Sequence, residues 1–381
     1  MSNTPTLEWE EDGRTRIARW HSEGGNPPPR RVHLASDTLT ADVAYRLASE
    51  GTAMLWRSDF NNARQLLQAL ARRADRAQRK GGSAPTEAAG SFHLHRLKQA
   101  QRARVLSMLL IELGGDYAIA LRRAPDLRQA CTQAWGPPSG DPVVTSLREL
   151  LGLVGAHEWR KKGVEIAALG VAPDNRIHAH YGVFSPVRGE YIDLVADAPL
   201  SATTVAFDVG TGTGVLAAVL ARRGVQRVIA TDVDERALAC ARDNVGRLGL
   251  ADRIEVMQAD LFPPGEAPLV LCNPPWLPGR PSSPIERAVY DEGSRMLRGF
   301  LAGLADHLAP GGEGWLVLSD LAEHLGLRTR AELLAWIDDG GLRVVARNEA
   351  RPRHRKATDP DDPLHGARSR EVTALWRLAA K

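Results

Sequence analysis

At 381 residues, with 43% hydrophobic and 25% charged side chains, the chain reads as a soluble globular protein of two domains. No apolar run reaches the length of a membrane span, and the polar, acidic start MSNTPTLEWEEDG lacks secretory-signal architecture, so the cytoplasm is the expected compartment. Cys131, Cys240 and Cys272 lie far apart, which argues against a disulfide framework or a zinc site, and the formal charge of +3 selects no partner by itself.

In chain order, residues 1–165 read as mostly helical. The stretches DVAYRLASEGTAMLW, ARQLLQALARRADRAQR, LHRLKQAQRARVLSMLLIEL and VVTSLRELLGLVGA each carry apolar residues at helical spacing. GGSAPTEAAG at 81–90 reads as a connector, and WGPPSGDP near residue 140 breaks the pattern again. Between Arg57 and Arg104 stand 11 Lys/Arg against 3 Asp/Glu. That bias fits the solvated face of arginine-rich helices, or a surface for nucleic acid or an acidic protein. Residues 166–200, with RIHAHYGVFSPVRGEYIDLV, read as strand, turn and short helix, a connector or lid. From 201 to 381 apolar runs alternate with amphipathic helices. TVAFDVG, RVIATDVD, RIEVMQAD, LVLCNPP, GWLVLSD, LRVVARNEA and VTALWRLAA read as strands. Such alternation predicts a mainly parallel sheet covered on both faces, with ligands beyond the carboxyl ends of its strands.

Polar residues break the apolar pattern at those strand ends. In DVGTGTGV, Gly210, Gly212 and Gly214 permit a tight turn and close approach of a ligand to the backbone, and Asp208 precedes them. Val215 spoils the dinucleotide fingerprint and no Gly-Lys-Ser/Thr follows, so the loop suits a nucleoside ligand without a pyrophosphate. Asp232 ends the second strand, where a carboxylate can accept from both ribose hydroxyls. Asp260 ends the third, where it can accept from an adenine amino group. Each acid alone also fits a helix cap or turn, and TDVDERAL resembles a cap. Together in order they point to S-adenosylmethionine as cofactor.

The fourth strand ends in Asn273, Pro274, Pro275 and Trp276. Proline cannot continue a central strand, so the chain leaves the sheet here holding an amide beside a flat ring. The Asn273 side-chain oxygen and the Pro274 carbonyl are two acceptors able to orient an NH₂ group, and Trp276 offers a face for stacking. On these residues the segment from about 180 to 381 resembles the class I S-adenosylmethionine-dependent methyltransferases. Within them it is similar to the methyltransferase small domain group, which includes release-factor glutamine methyltransferases, guanine N2-methyltransferases and N6-adenine methyltransferases. The resemblance implies a Rossmann-like domain with a seven-stranded, mainly parallel sheet. It also implies a cofactor lined by Asp208, Gly210, Gly212, Gly214, Asp232, Asp260 and Asn273, with Asn273, Pro274 and Trp276 at the reacting nitrogen. The relatives carry Tyr or Phe where this chain has Trp276.

The expected reaction is therefore N-methylation of a planar amide or amino nitrogen. A protein glutamine is favoured by SPIERAVYDEGSRMLRGFL, which resembles the segment after the motif in the glutamine methyltransferases; there Glu286, Tyr290 and Asp291 are expected to shape the acceptor pocket as structural rather than catalytic residues. A base in RNA or DNA is the alternative favoured by the basic helices, and a small molecule or a non-catalytic binding module stays open. The first domain is expected to dock the protein or nucleic-acid substrate, without a membrane or a metal. Phe184 and Tyr191 are candidate lids, and Arg188 a carboxylate partner. The pairs His93/His95 and His178/His180 read as surface pairs, and Trp56 with its neighbours as a core anchor and cap. No hydrolase motif is present.

Overall fold

The computed structural model describes residues 5–79, 88–353 and 358–381. The expected connector, up to residue 87, and residues 354–357 lie outside the described residues. The described residues fall into two compact units, one from residues 5–79 and 90–158, the other from 88–89 and 159–381.

The first unit holds the expected helices and, with them, a sheet that corrects the mostly helical reading of residues 1–165. Its strands are β1 (Thr6–Glu11), β2 (Arg14–Trp20), β3 (Arg31–Ala35), β4 (Thr52–Trp56), β5 (Leu109–Leu113) and β6 (Val143–Ser146). They lie in the order β1-β2-β6-β5-β4-β3. Helices α1 (Ala41–Ser49), α2 (Phe60–Arg79), α3 (Ala88–Leu106), α4 (Arg128–Trp135) and α5 (Leu147–Lys162) accompany them. The physical reason is length and burial. TAMLW, LLIEL and VVTS are runs of four or five residues buried almost throughout, and such runs have no period to separate them from an adjoining helix. The hairpin β1–β2 turns on Asp12 and Gly13, both with positive φ (53° and 71°), the conformation that suits a two-residue hairpin loop. Its inward residues Leu7, Trp9, Ala18 and Trp20 are buried in one cluster with Leu55, Leu110 and Val144.

The second unit carries the expected seven-stranded, mainly parallel sheet. Short strands β7 (Val164–Glu165) and β8 (Arg176–Ile177) and helix α6 (Glu190–Asp197) come first. Then follow β9 (Val205–Val209), α7 (Val215–Arg222), β10 (Arg227–Asp232), α8 (Glu235–Arg247), β11 (Ile254–Gln258) and β12 (Ala267–Cys272). Helix α9 (Arg295–His307), β13 (Leu308–Ser319), α10 (Leu321–His324), α11 (Arg330–Asp339), β14 (Leu342–Ala350) and β15 (Thr373–Ala380) complete it. The order is β11-β10-β9-β12-β13-β15-β14, with only β15 antiparallel to its neighbours. The seven-stranded, mainly parallel sheet with helices between its strands, expected from the sequence, is present.

Both sheet faces are covered. Ala206, Leu269, Leu271, Trp315 and Val317 join one cluster, while Phe207, Val209, Val270, Leu316 and Leu318 join the other. Helix α7 is buried from Val215 to Ala221, so burial on every side places it. Helix α8 starts at Asp234, whose side chain accepts from the Arg236 amide at 2.8 Å, the cap legible in TDVDERAL. Because β9, β10, β11 and β12 are parallel, Asp208, Asp232, Asp260 and Asn273 come to one edge of the sheet.

Candidate active site

The turn after β9 is built to expose backbone. The amides of Gly210 and Thr211 both donate to the Thr231 carbonyl, at 2.9 and 2.8 Å, which ties the loop to β10. Gly210, Gly212 and Gly214 have φ of 74°, 56° and 80°, a region that disfavours a Cβ. At Gly210 a Cβ would lie 2.3 Å from the Met296 methyl, whereas at Gly212 nothing lies within 4 Å. The loop is therefore packed at one glycine and open at the next, and the opening faces a cavity of about 590 Å³.

Asp208, 1% exposed, lies beneath this loop. One of its oxygens accepts from the Thr211 hydroxyl at 2.6 Å and from the Ala217 amide, in the first turn of α7, at 3.0 Å. Burial pushes its carboxyl up to about 6, with the Asp232 charge adding to the effect and the two hydrogen bonds opposing it. Asp232 accepts from the Gly212 amide at 3.0 Å through one oxygen and from the Asp234 amide at 3.0 Å through the other. Its carboxyl is also raised, chiefly by burial. Each of those oxygens retains a second lone pair.

Asp260 is at the rim and differs from the other two. It is mostly exposed and forms an ion pair with Arg295 at 3.2 Å. Leu261, with φ 75°, turns back beside it and receives the Thr231 hydroxyl on its carbonyl at 2.5 Å. Asp260, Leu261 and Val233 all line the cavity.

Asn273 leaves β12 with its Oδ1 accepting from the Trp276 indole N–H at 2.9 Å. Trp276 packs against both hydrophobic clusters, and the Arg188 guanidinium lies 4.9 Å from its ring centroid. Arg188 donates to Glu190 at 2.7 Å and to Glu371 at 3.0 Å, and Ser319 donates to the same Glu371 oxygen at 2.8 Å. Arg188 is thus a carboxylate partner, but of two buried side chains of the chain itself. Tyr191, 5% exposed, is a fixed wall of the cavity rather than a lid, and burial pushes its hydroxyl up. Phe184, 37% exposed, is the one of the two placed on the surface.

The segment after the motif folds back onto it. The Leu277 amide donates to the Val289 carbonyl at 3.1 Å, and the Asp291 amide to the Leu277 carbonyl at 2.9 Å. Asp291 then caps α9 by accepting from the Met296 amide at 2.8 Å, and Glu286 accepts from the Ser282 amide and hydroxyl at 2.9 and 2.7 Å. These two acids shape the loop, while Tyr290 lines the cavity. Sequence reasoning missed Thr211, Leu261, Arg295 and Met296. The alternating Thr of TGTG was the available signal for Thr211; the others carry none.

The remaining candidates have structural partners. His178 shares a hydrogen bond with the Arg160 carbonyl at 2.6 Å and His180 with Asp243 at 3.1 Å. Trp56 is buried and donates to the Asp59 carbonyl, and Asp59 accepts from the Asn61 amide at the start of α2. Among the described residues no group of three or more His, Cys, Asp or Glu could hold a metal ion. Nor is any helix of those residues long and apolar enough to cross a membrane.

Comparison with known proteins places this edge of the sheet in context. Residues 174–332 match the family model described as Methyltransferase small domain. Over 182 residues the chain is 32% identical to the release factor glutamine methyltransferase of Cereibacter sphaeroides, covering 42% of this chain and 65% of that protein. It is 34% identical over 146 residues to the ribosomal protein L11 methyltransferase of Pelotomaculum thermopropionicum, covering 38% of this chain and 39% of that one. Similarity to the tRNA1(Val) (adenine(37)-N6)-methyltransferase of Shewanella amazonensis runs at 28% over 218 residues, covering 52% of this chain and 92% of that one.

Proposed function

We propose, from a methyltransferase small domain that occupies residues 174–332, that this chain is an S-adenosylmethionine-dependent N-methyltransferase acting on a planar amide or amino nitrogen. One observation carries the reading: the glycine loop, Asp232 and the Asn273–Trp276 motif line a single cavity. The open space over Gly212 and the spare lone pairs of Asp232 fit a nucleoside with ribose hydroxyls. Asp208, buried and anionic above about pH 6, fits an ammonium group at the other end. In this reading Asp208, Gly210, Gly212, Gly214, Asp232, Asp260 and Asn273 hold the cofactor, which when bound supplies a methyl group on a sulfonium.

The chain's own part is positioning. Amide and aromatic amino nitrogens are weak nucleophiles because their lone pairs are delocalised. Asn273 Oδ1 and the Pro274 carbonyl accept the two N–H bonds of the acceptor, which turns the nitrogen lone pair toward the methyl carbon. With the cofactor bound, the N–C bond would form as its C–S bond breaks, and the extra proton would leave from nitrogen to solvent. No strong base is required.

The favoured acceptor is a protein glutamine side chain, supported by the segment after the motif, which folds over the cavity. A nucleic-acid base is the second reading, supported by the exposed Arg64, Arg72 and Arg76 on one helix of the first unit. The test is transfer of tritiated methyl from S-adenosylmethionine into a cell extract, split into protein, RNA, DNA and small-molecule fractions. Hydrolysis of the labelled fraction to N-methylglutamine supports the first reading, and N-methyladenine or N-methylguanine the second. Label on oxygen, sulfur or carbon defeats both.

A further inference from the structure

Tryptophan at the fourth position of the motif brings a donor that Tyr or Phe does not bring to this place. An indole N–H donates and never accepts, so the group at 2.9 Å from it must be an acceptor. That settles which end of the Asn273 amide faces the ring: it is Oδ1. Turned the other way, the amide would set its own NH₂ against the indole N–H, donor against donor. We propose that Trp276 is a positioning residue for methyl transfer. Its indole N–H takes one lone pair of Asn273 Oδ1, locks the amide in the accepting orientation and leaves the second lone pair for the acceptor nitrogen. The inference rests on the N-methyltransferase reading and deepens it.

The ring is itself held. Both hydrophobic clusters pack against it, and the Arg188 guanidinium lies 4.9 Å from its centroid. Arg188 is fixed in turn by Glu190 and Glu371, which are 3% and 2% exposed. A ring clamped in this way cannot turn to follow a misplaced amide, so the hydrogen bond constrains Asn273 rather than the reverse. With Arg188 over the ring, the main service of Trp276 is the N–H it aims at Asn273, and stacking on the acceptor is secondary.

The test uses the full chain, tritiated S-adenosylmethionine and the extract fraction that takes label from the wild type. Trp276→Phe keeps an aromatic ring and loses the donor. The expected result is a kcat about ten-fold lower, the effect of one lost orienting hydrogen bond, while the dissociation constant of S-adenosylmethionine changes by less than about two-fold. Asn273→Asp supplies the discriminating background, because a carboxylate presents an acceptor oxygen in either orientation and needs no lock. There Trp276→Phe is expected to change kcat by less than about two-fold. An equal loss in both backgrounds would mean that the ring acts through packing, and an undiminished kcat in the single variant would mean that the N–H is idle. Either overturns the proposal. A measurement independent of turnover separates it from the functional reading: hydrogen exchange of the Trp276 indole proton, slow in the wild type and accelerated in Asn273→Ala. A wild type that methylates no nitrogen sinks the functional reading; a fast-exchanging indole proton sinks the lock.

Discussion

Asp208→Asn separates what the site needs from what the fold would prefer. The carboxyl is raised from its ordinary value of 3.8 to about 6 by burial. Two pKa units correspond to about 3 kcal/mol. Between the two pKa values the folded state holds a proton that the unfolded state has released. Stability therefore falls as pH rises from about 4 to about 6, and stays at the lower level above that. Asparagine has no charge to bury. Its side-chain oxygen can keep both existing hydrogen bonds, since the Thr211 hydroxyl and the Ala217 amide donate to the same Asp208 oxygen. The variant should therefore match the wild type near pH 4 and exceed it by about 1–3 kcal/mol near pH 8, after allowing for the amide NH₂ it introduces. Urea denaturation at those two pH values reads the difference directly. If Asp208 faces the ligand's ammonium as proposed, the same substitution should weaken S-adenosylmethionine binding about ten-fold or more at pH 8. Wild-type affinity should rise through about pH 6 and the variant's should not. A stability gap equal at both pH values, or a variant less stable at pH 8, would refute the reasoning.

Asn273→Ala should lower kcat on the order of a hundred-fold or more, while calorimetry shows a loss of cofactor affinity of only about a few-fold, because Asp208, Asp232 and the glycine loop remain; normal turnover would defeat the clamp. Gly212→Ala and Gly210→Ala should behave differently. The first places its methyl in open space and should lose cofactor affinity about ten-fold, with about 1 kcal/mol of stability lost to the left-handed backbone. The second also pushes on Met296 and should lose more stability, so equal effects in thermal melts would count against the packing argument. If the acceptor is nucleic acid, replacing Arg64, Arg72 and Arg76 together by alanine should flatten the plot of log affinity against log salt by about 3, and an unchanged slope would remove those side chains from the phosphate contacts.

The sequence made the second unit legible because its signals are local. A strand, a glycine turn and a helix follow one another within DVGTGTGVLAAVLARRG, and each parallel strand ends at a polar residue whose position the alternation predicts. The first unit was less legible because periodicity is silent over a buried run as short as VVTS, and a neighbouring helix absorbs it. One local signal does exist there: Asp-Gly between the alternating stretches TLEWEE and RTRIARW marks a hairpin. The side-chain network of the site had no local signal at all. Arg188 and Glu371 are 183 positions apart, and Asp260 and Arg295 are 35 apart, so only the folded chain joins them.

The three strand-end acids look alike in sequence but form a gradient in the fold, from Asp208, nearly sealed, through Asp232, partly buried, to Asp260, mostly exposed and already paired with Arg295. Electrostatic attraction strengthens as water is excluded. A positively charged ligand end beside Asp208 therefore gains far more than a polar end beside Asp260, where solvent and Arg295 compete. In the proposed reading, recognition would be dominated by the ammonium end and the ribose, with the rim acid contributing mainly shape. In the proposed reading a cationic ligand end would offset the cost of the buried carboxylate at Asp208. On that reasoning pH dependence of cofactor binding follows Asp208, and Asp208→Asn should flatten the pH profile of binding around pH 6.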